Sequence, residues 1–226
     1  MTKGQMQALL AQASEPKVEK YMKTVVSDSR YPMLFVPMRP LRQIAKEASK
    51  GDWQCLTEGP FESYEQVLCA GLAAAYAKAP LVERLTALRS LLPYFDSWAM
   101  TDSVFPTLRF LESEKPLLWA FAMECIAGPG EYIVRSGIVI LLRFFIAEAE
   151  PVAALLRGIR DERYYVQMAV AWCFAEMAVD HYEIVEKVLE SGELHPFVHN
   201  KTIQKMRESY RISEEKKEAA QRLRRK

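Results

Sequence analysis

Glycine is scarce, with 9 in 226 residues, and alternating β-branched and polar residues are almost absent. A sheet needs that alternation and the turns that close it, so the chain is not expected to be a β protein. Cysteine is scarce too. Cys55, Cys69, Cys125 and Cys173 show no C-x-x-C spacing and sit in helical-looking apolar segments. This excludes a disulfide-stapled scaffold and predicts buried free thiols rather than a redox or metal site. There is no long hydrophobic run. The longest, IVRSGIVILLRFFIA, is interrupted by Arg135, Gly137 and Arg143 and is too short to span a bilayer. The first twenty residues hold no apolar stretch long enough for a signal-peptide core, so the expected location is the cytoplasm, with no membrane partner. An excess of either charge is also missing. Thirty Lys and Arg stand against 29 Asp and Glu, a net of +1 with a pI of about 7.6, which excludes a protein basic all over. Neither G-x-G-x-x-G nor G-x-x-x-x-G-K occurs, and there is no G-x-S-x-G nucleophile elbow. His195 and His199 are four apart, but Pro196 intervenes and no third ligand is near in sequence. No metal and no cofactor are expected.

Ala, Leu, Glu, Lys and Met fill the space these absences leave. Half the residues are hydrophobic and 26% are charged, the balance of an ordinary globular protein. Apolar residues recur at three- and four-residue spacing nearly throughout, so the chain reads as all-α. Proline and glycine mark the boundaries. Pro37 and Pro40 precede a helix ending at Gly51, and Gly59-Pro60 precedes one running from about Glu62 to Lys78. Asp96 or Ser97 caps the next, read as continuing to about Ser113, and Gly128-Pro129-Gly130 is a clear break. Helix pairs start near residues 62, 98, 131, 163 and 198. A spacing of roughly 35 residues is that of helical-repeat solenoids. The expected architecture is one HEAT-like domain over residues 1–226, with N-terminal helices in 1–58 and helix-pair repeats in 60–226. Such arrays curve into a superhelix with a concave binding face. A monomer is expected, because a solenoid covers its own core and the last helix is polar enough to cap it.

Several residues do not fall simply into a core stripe. On the segment WAMTDSVFPTLRFL, Met100, Val104, Leu108 and Leu111 form the expected core face. Trp98, Asp102, Phe105 and Arg109 fall on another, with Trp98 and Asp102 one turn apart. Either Trp98 packs on a neighbouring repeat, with Asp102 paired to Arg109 or solvated, or the face is functional. Arg135 lies within a helix apolar on nearly every side, where a guanidinium requires an anionic partner. That partner is either an internal carboxylate or a phosphate. Tyr165, Met168, Trp172 and Glu176 share a face of a further helix, for which core packing is the default. Tyr21 is equally ambiguous.

Taken in order, Tyr21-Met22-Lys23, the Trp-x-x-x-Asp of Trp98 to Asp102, Arg135 in its apolar helix, and Ala171-Trp172 resemble the AlkD-type DNA alkylation repair enzymes, which are HEAT-like glycosylases. The resemblance runs from about residue 15 to the end, and the final segment from Glu190 is similar to the C-terminus of one branch of that family. It implies an enzyme acting on double-stranded DNA and releasing purines alkylated at N3 or N7. It assigns Asp102, Trp98 and Trp172 to catalysis, and Arg135 and Tyr21 to DNA binding. In the better-known members a second Trp directly precedes the Trp-x-x-x-Asp element, an Asp follows its first residue, and a basic residue lies one turn after the later Trp. Here those positions are Ser97, Ala99 and Ala175. Two other readings stay open, a HEAT-like DNA-binding protein without glycosylase activity and a protein-interaction scaffold. The charge balance also hides an asymmetry. Residues 1–195 carry 20 basic and 25 acidic side chains, and residues 196–226 carry 10 and 4. Segregation of this kind points to a polyanionic partner.

Overall fold

The computed structural model describes residues 1–26 and 29–225, and all its regular structure is helical. Two compact units are present, Met1–Phe121 and the chain from Ala122 onward, with the boundary inside one helix. The first unit holds α1 (Lys3–Gln12), α2 (Glu19–Val25), α3 (Met38–Ala48), α4 (Tyr64–Tyr76), α5 (Leu81–Leu91) and α6 (Trp98–Val104). After α7 (Lys115–Ile126), the second holds α8 (Glu131–Phe144), α9 (Ala149–Gly158), α10 (Tyr164–Met177), α11 (Tyr182–Ser191), α12 (Pro196–Glu208) and α13 (Glu214–Arg222). None of these helices is long and apolar enough to cross a membrane.

Helices α4, α6, α8, α10 and α12 start near the positions expected for pair openings, and α4 packs on α5, α10 on α11 and α12 on α13. In the first unit α4 packs on α1, α3, α5 and α6. Small side chains make that central place possible: Ala70, Ala73, Ala74 and Ala75 are buried, and a Cβ on Gly71 would lie 2.8 Å from Val104 of α6. In the second unit α10 packs between α8 and α12, and α11 packs on α9 and α13. Two layers of helices result, as in a repeat array. Gly137 plays the role of Gly71 here, since its Cβ would lie 2.5 Å from the Ala122 carbonyl oxygen. Leu68, Leu72, Leu88, Met100 and Phe121 are core residues of the first unit, and Val134, Ile138, Val166, Phe174 and Met206 of the second.

Two expectations fail for identifiable reasons. The helix read as running from Trp98 to about Ser113 ends at Val104 and gives way to a 3-10 turn, Phe105–Thr107. Pro106 is the cause: it has no N–H to donate to the Asp102 carbonyl, so the α-helical ladder ends although Phe105 itself keeps helical φ and ψ. The face drawn from an unbroken helix is therefore wrong beyond Val104. Phe105 is fully buried, with its ring 6.2 Å from those of Phe95 and Phe121. Leu111 is 69% exposed rather than in the core, and Arg109 turns back onto the carbonyls of Pro106 and Leu108. Of the four thiols, Cys69, Cys125 and Cys173 are buried, but Cys55 is exposed in the 3-10 turn Gln54–Thr57.

Candidate functional site

In the first unit the start of α6 is set by Ser97. Its hydroxyl accepts the Met100 N–H at 3.4 Å and contacts the Tyr64 hydroxyl at 3.2 Å, and the residue is 4% exposed. Ser97, not Asp96, is thus the cap. The position that carries a second Trp in the better-known members is here a buried capping site. Trp98 is the first residue of α6 and is half-buried. Its indole Nε1 donates to the carbonyl of Val25 at 3.0 Å. That carbonyl belongs to the last residue of α2, where a helix has no internal donor to offer. Asp102 follows one turn later, also half-buried, and the Thr101 hydroxyl lies 2.8 Å from its Oδ1. The same hydroxyl is 2.8 Å from the Trp98 carbonyl, so one proton is shared between two acceptors. Tyr21 lies on α2 and is 70% exposed. The structure therefore links the helix of Tyr21 to the ring of Trp98.

Two carboxylates outside the expected site residues hold this arrangement. Asp96 accepts from the Ser29 hydroxyl at 2.9 Å and the Arg30 N–H at 2.7 Å, tying the chain beyond α2 to the start of α6. Burial pushes its carboxyl above the ordinary carboxylate range, against the pull of those donors. Glu65, fully buried on α4, accepts the N–H groups of Leu34 at 2.9 Å and Val36 at 3.3 Å. Between them Phe35 is forced to φ 60°, a left-handed conformation that costs an aromatic residue roughly 1–2 kcal/mol. Lys23 lies 5.6 Å from the Phe35 ring. Capping statistics suggested Asp96 as a helix cap, and nothing in the sequence pointed to its bonds 66 and 67 residues away.

In the second unit Arg135 is on α8, 5% exposed, and its Nη1 donates to the Tyr165 carbonyl at 2.9 Å. One turn earlier on α8, Glu131 accepts the Tyr165 N–H at 2.7 Å. An acidic and a basic side chain four residues apart thus grip both backbone groups of one residue in the first turn of α10. The carboxylate meets an N–H that the helix leaves unpaired, at the end where its dipole favours negative charge. Tyr165, Met168, Trp172 and Glu176 then run down α10 as a half-buried stripe. Core packing, the default from periodicity, is not what the structure shows: the fully buried residues of α10, including Val166, Ala169, Val170 and Cys173, lie on other faces. Ala175 is 5% exposed, so the position is filled here by a small buried side chain. A basic group reaches the stripe from elsewhere, since Arg211 donates to both oxygens of Glu176 at 2.6 Å. Sequence reasoning also missed a row of rings across the starts of α8, α10 and α12. Tyr132 and Tyr165 are 5.5 Å apart, Tyr165 and Tyr164 5.1 Å, and Tyr164 and Phe197 5.7 Å.

The histidine pair has a structural role. His195 caps α12 by accepting the Phe197 N–H at 3.3 Å, and buried His199 pairs with the Leu223 carbonyl at 2.8 Å. Among the described residues, no three His, Cys, Asp or Glu side chains are grouped as metal ligands would be.

Compared with known families, residues 3–212 match the model described as DNA alkylation repair enzyme. No curated protein matches the chain.

Proposed function

Because this chain belongs to the family of DNA alkylation repair enzymes, we propose that it is a DNA glycosylase releasing purines alkylated at N3 or N7 from duplex DNA. Alkylation at either nitrogen leaves a positive charge on the base and weakens the bond to C1′. As that bond breaks, its electron pair goes to the base, which departs neutral, and positive charge moves to the sugar. A water molecule then attacks C1′ and gives up a proton. The enzyme has to stabilise cations on the base and the sugar and to place the water. Aromatic rings attract a cation by about 0.5–2 kcal/mol each, and Trp does so best. Trp98 and Trp172 are assigned that contact. Asp102 stabilises the developing oxocarbenium ion and orients the water. Arg135 holds a backbone phosphate, for which its planar guanidinium is suited, and Tyr21 contacts the DNA.

The observation that carries this reading is the pairing on α6: a Trp and an Asp one turn apart, both half-buried, each positioned by a named hydrogen bond. The test is base release from duplex DNA containing N7-methylguanine. Wild type should release the base, and Asp102→Asn should release it far more slowly while still binding the duplex. Absence of release from several N3- and N7-alkylated duplexes, with binding retained, would replace the enzyme by a non-catalytic DNA-binding protein. For Arg135→Met the expectation is weaker duplex binding and a salt dependence shallower by about 0.9 in log–log slope. An unchanged slope would remove the phosphate role from Arg135.

A further inference from the structure

A cavity of about 750 Å³ opens in the first unit at the C-terminal end of α4. Arg42 of α3, Lys78 of the α4–α5 connection, Arg84 of α5 and Arg109 beyond α6 all line it, and no Asp or Glu does. None of the four cations pairs with a carboxylate among the described residues. Arg84 is only 4% exposed, yet its partners are carbonyls: Nη2 donates to Arg109 at 2.6 Å and Nη1 to Ala75 at 3.4 Å. Its Nε is buried with no hydrogen-bond partner. Glu114 acts on Arg84 electrostatically, but its two oxygens are engaged by the N–H groups of Leu81 at 3.0 Å and Leu111 at 2.8 Å. Burial accordingly pulls the guanidinium below its ordinary range. A charge removed from water is normally matched by an anion.

Arg42 is held in place rather than neutralised. Its Nη1 donates to the Tyr76 hydroxyl at 2.9 Å and to Thr107 Oγ1 at 3.0 Å. Thr107 sends its own proton to the Ser103 carbonyl at 2.8 Å, whereas the Tyr76 hydroxyl has no acceptor among the described residues and keeps its proton to donate. The cavity thus offers guanidinium, ammonium and phenol donors, and four positive charges exceed what one carboxylate would balance. We propose that this cavity is a binding site for a phosphate oxyanion. The inference rests on the first unit alone and does not depend on the glycosylase reading. Two sources share the chemistry, free inorganic phosphate and the phosphodiester backbone of DNA.

The test uses the full-length protein and two measurements. Inorganic phosphate is titrated calorimetrically at constant ionic strength, and binding of an unmodified duplex is followed by anisotropy over a range of salt. Wild type should bind phosphate saturably at one site, and Arg42→Gln should weaken it at least tenfold. Lys78→Gln, an exposed change that leaves the packing intact, should weaken it about threefold. If the backbone is the occupant, phosphate competes with the duplex and Arg42→Gln flattens the salt dependence of duplex binding. If free phosphate is the occupant, Arg42→Gln loses phosphate and leaves duplex binding unchanged. Failure of phosphate to bind saturably, with duplex binding the same in wild type and both variants, overturns the proposal. So does phosphate binding that neither substitution alters.

Discussion

Replacing Trp98 by phenylalanine separates the two tasks the structure gives this side chain. The indole Nε1 closes the end of α2 by donating to Val25, and the ring is assigned to the cationic base. Phenylalanine keeps an aromatic face and removes the donor. A net hydrogen bond of this kind is worth about 0.5–1.5 kcal/mol. The melting temperature should fall by about 2–4 °C for each kcal/mol lost in a chain of this size. The damage should be local. α2 has only seven residues and presents no buried side chain of its own within the helix, so the Val25 carbonyl is a substantial part of its attachment. Amides of α2 should exchange hydrogen faster in Trp98→Phe, while those of α4 and α10 keep their protection. Base release should fall only a few-fold. In Trp98→Ala the ring is lost as well, and a cation–π term of about 0.5–2 kcal/mol predicts a further two- to thirtyfold loss of rate. The reasoning fails if α2 exchanges at the wild-type rate in Trp98→Phe. It fails for the ring if the Phe and Ala variants release base equally slowly.

Glu65→Gln tests the anchor of the Phe35 turn. Glutamine offers one carbonyl oxygen for two backbone N–H groups and sets its own NH2 against the second. A loss of about 1–3 kcal/mol is expected from urea denaturation, and less than 0.5 kcal/mol would mean that the turn is held elsewhere. His199 predicts a pH effect. Burial keeps its imidazole below the ordinary value of 6.5, so the folded protein holds it neutral where the unfolded chain takes up a proton. Stability should therefore fall as pH drops below 6.5 and level off beneath the folded value, by at most about 1.4 kcal/mol per pH unit. His199→Phe should remove that part of the slope, and identical urea midpoints against pH in the two proteins would refute it.

Helix punctuation and three- to four-residue periodicity were enough to place the starts of α4, α6, α8, α10 and α12 within about two residues, because both act locally. Pro106 shows the cost of letting periodicity outweigh a local rule. The apolar pattern of WAMTDSVFPTLRFL fits a helix across the proline, and the chain obeys the proline. The candidate site was partly legible for the same reason. Trp98 and Asp102 are neighbours through helix geometry alone, and Tyr165, Met168, Trp172 and Glu176 share a stripe for that reason too. What fixes them was not legible. Asp96 to Arg30, Glu65 to Leu34, and Glu131 to Tyr165 are bonds between side chains and distant backbone. A carboxylate reads the same in sequence whether it is solvated or holds a loop, and only the packed fold distinguishes them.

Charge illustrates the same limit with a reversal. Counted along the chain, the basic excess lies in residues 196–226 and the acidic excess before them. In the folded protein much of that C-terminal charge is engaged. Lys205 pairs with Glu208 at 3.0 Å, Lys217 with Glu214 at 2.8 Å, and Arg211 with Glu176 at 2.6 Å. Arg225 donates to the Leu194 carbonyl at 3.1 Å. The converging cations without a carboxylate, Arg42, Lys78, Arg84 and Arg109, are instead in the segment whose average is acidic. A polyanion responds to the local field and not to the average, because charges beyond about 10 Å are screened at ordinary salt. The C-terminal segment is thus a weaker pointer to DNA than its composition suggests, and the proposed anion site lies in the first unit, where 14 basic side chains stand against 13 acidic ones. If that is right, neutralising Lys205 and Lys217 together should change the salt dependence of duplex binding less than Arg42→Gln does alone, provided the backbone occupies the cavity.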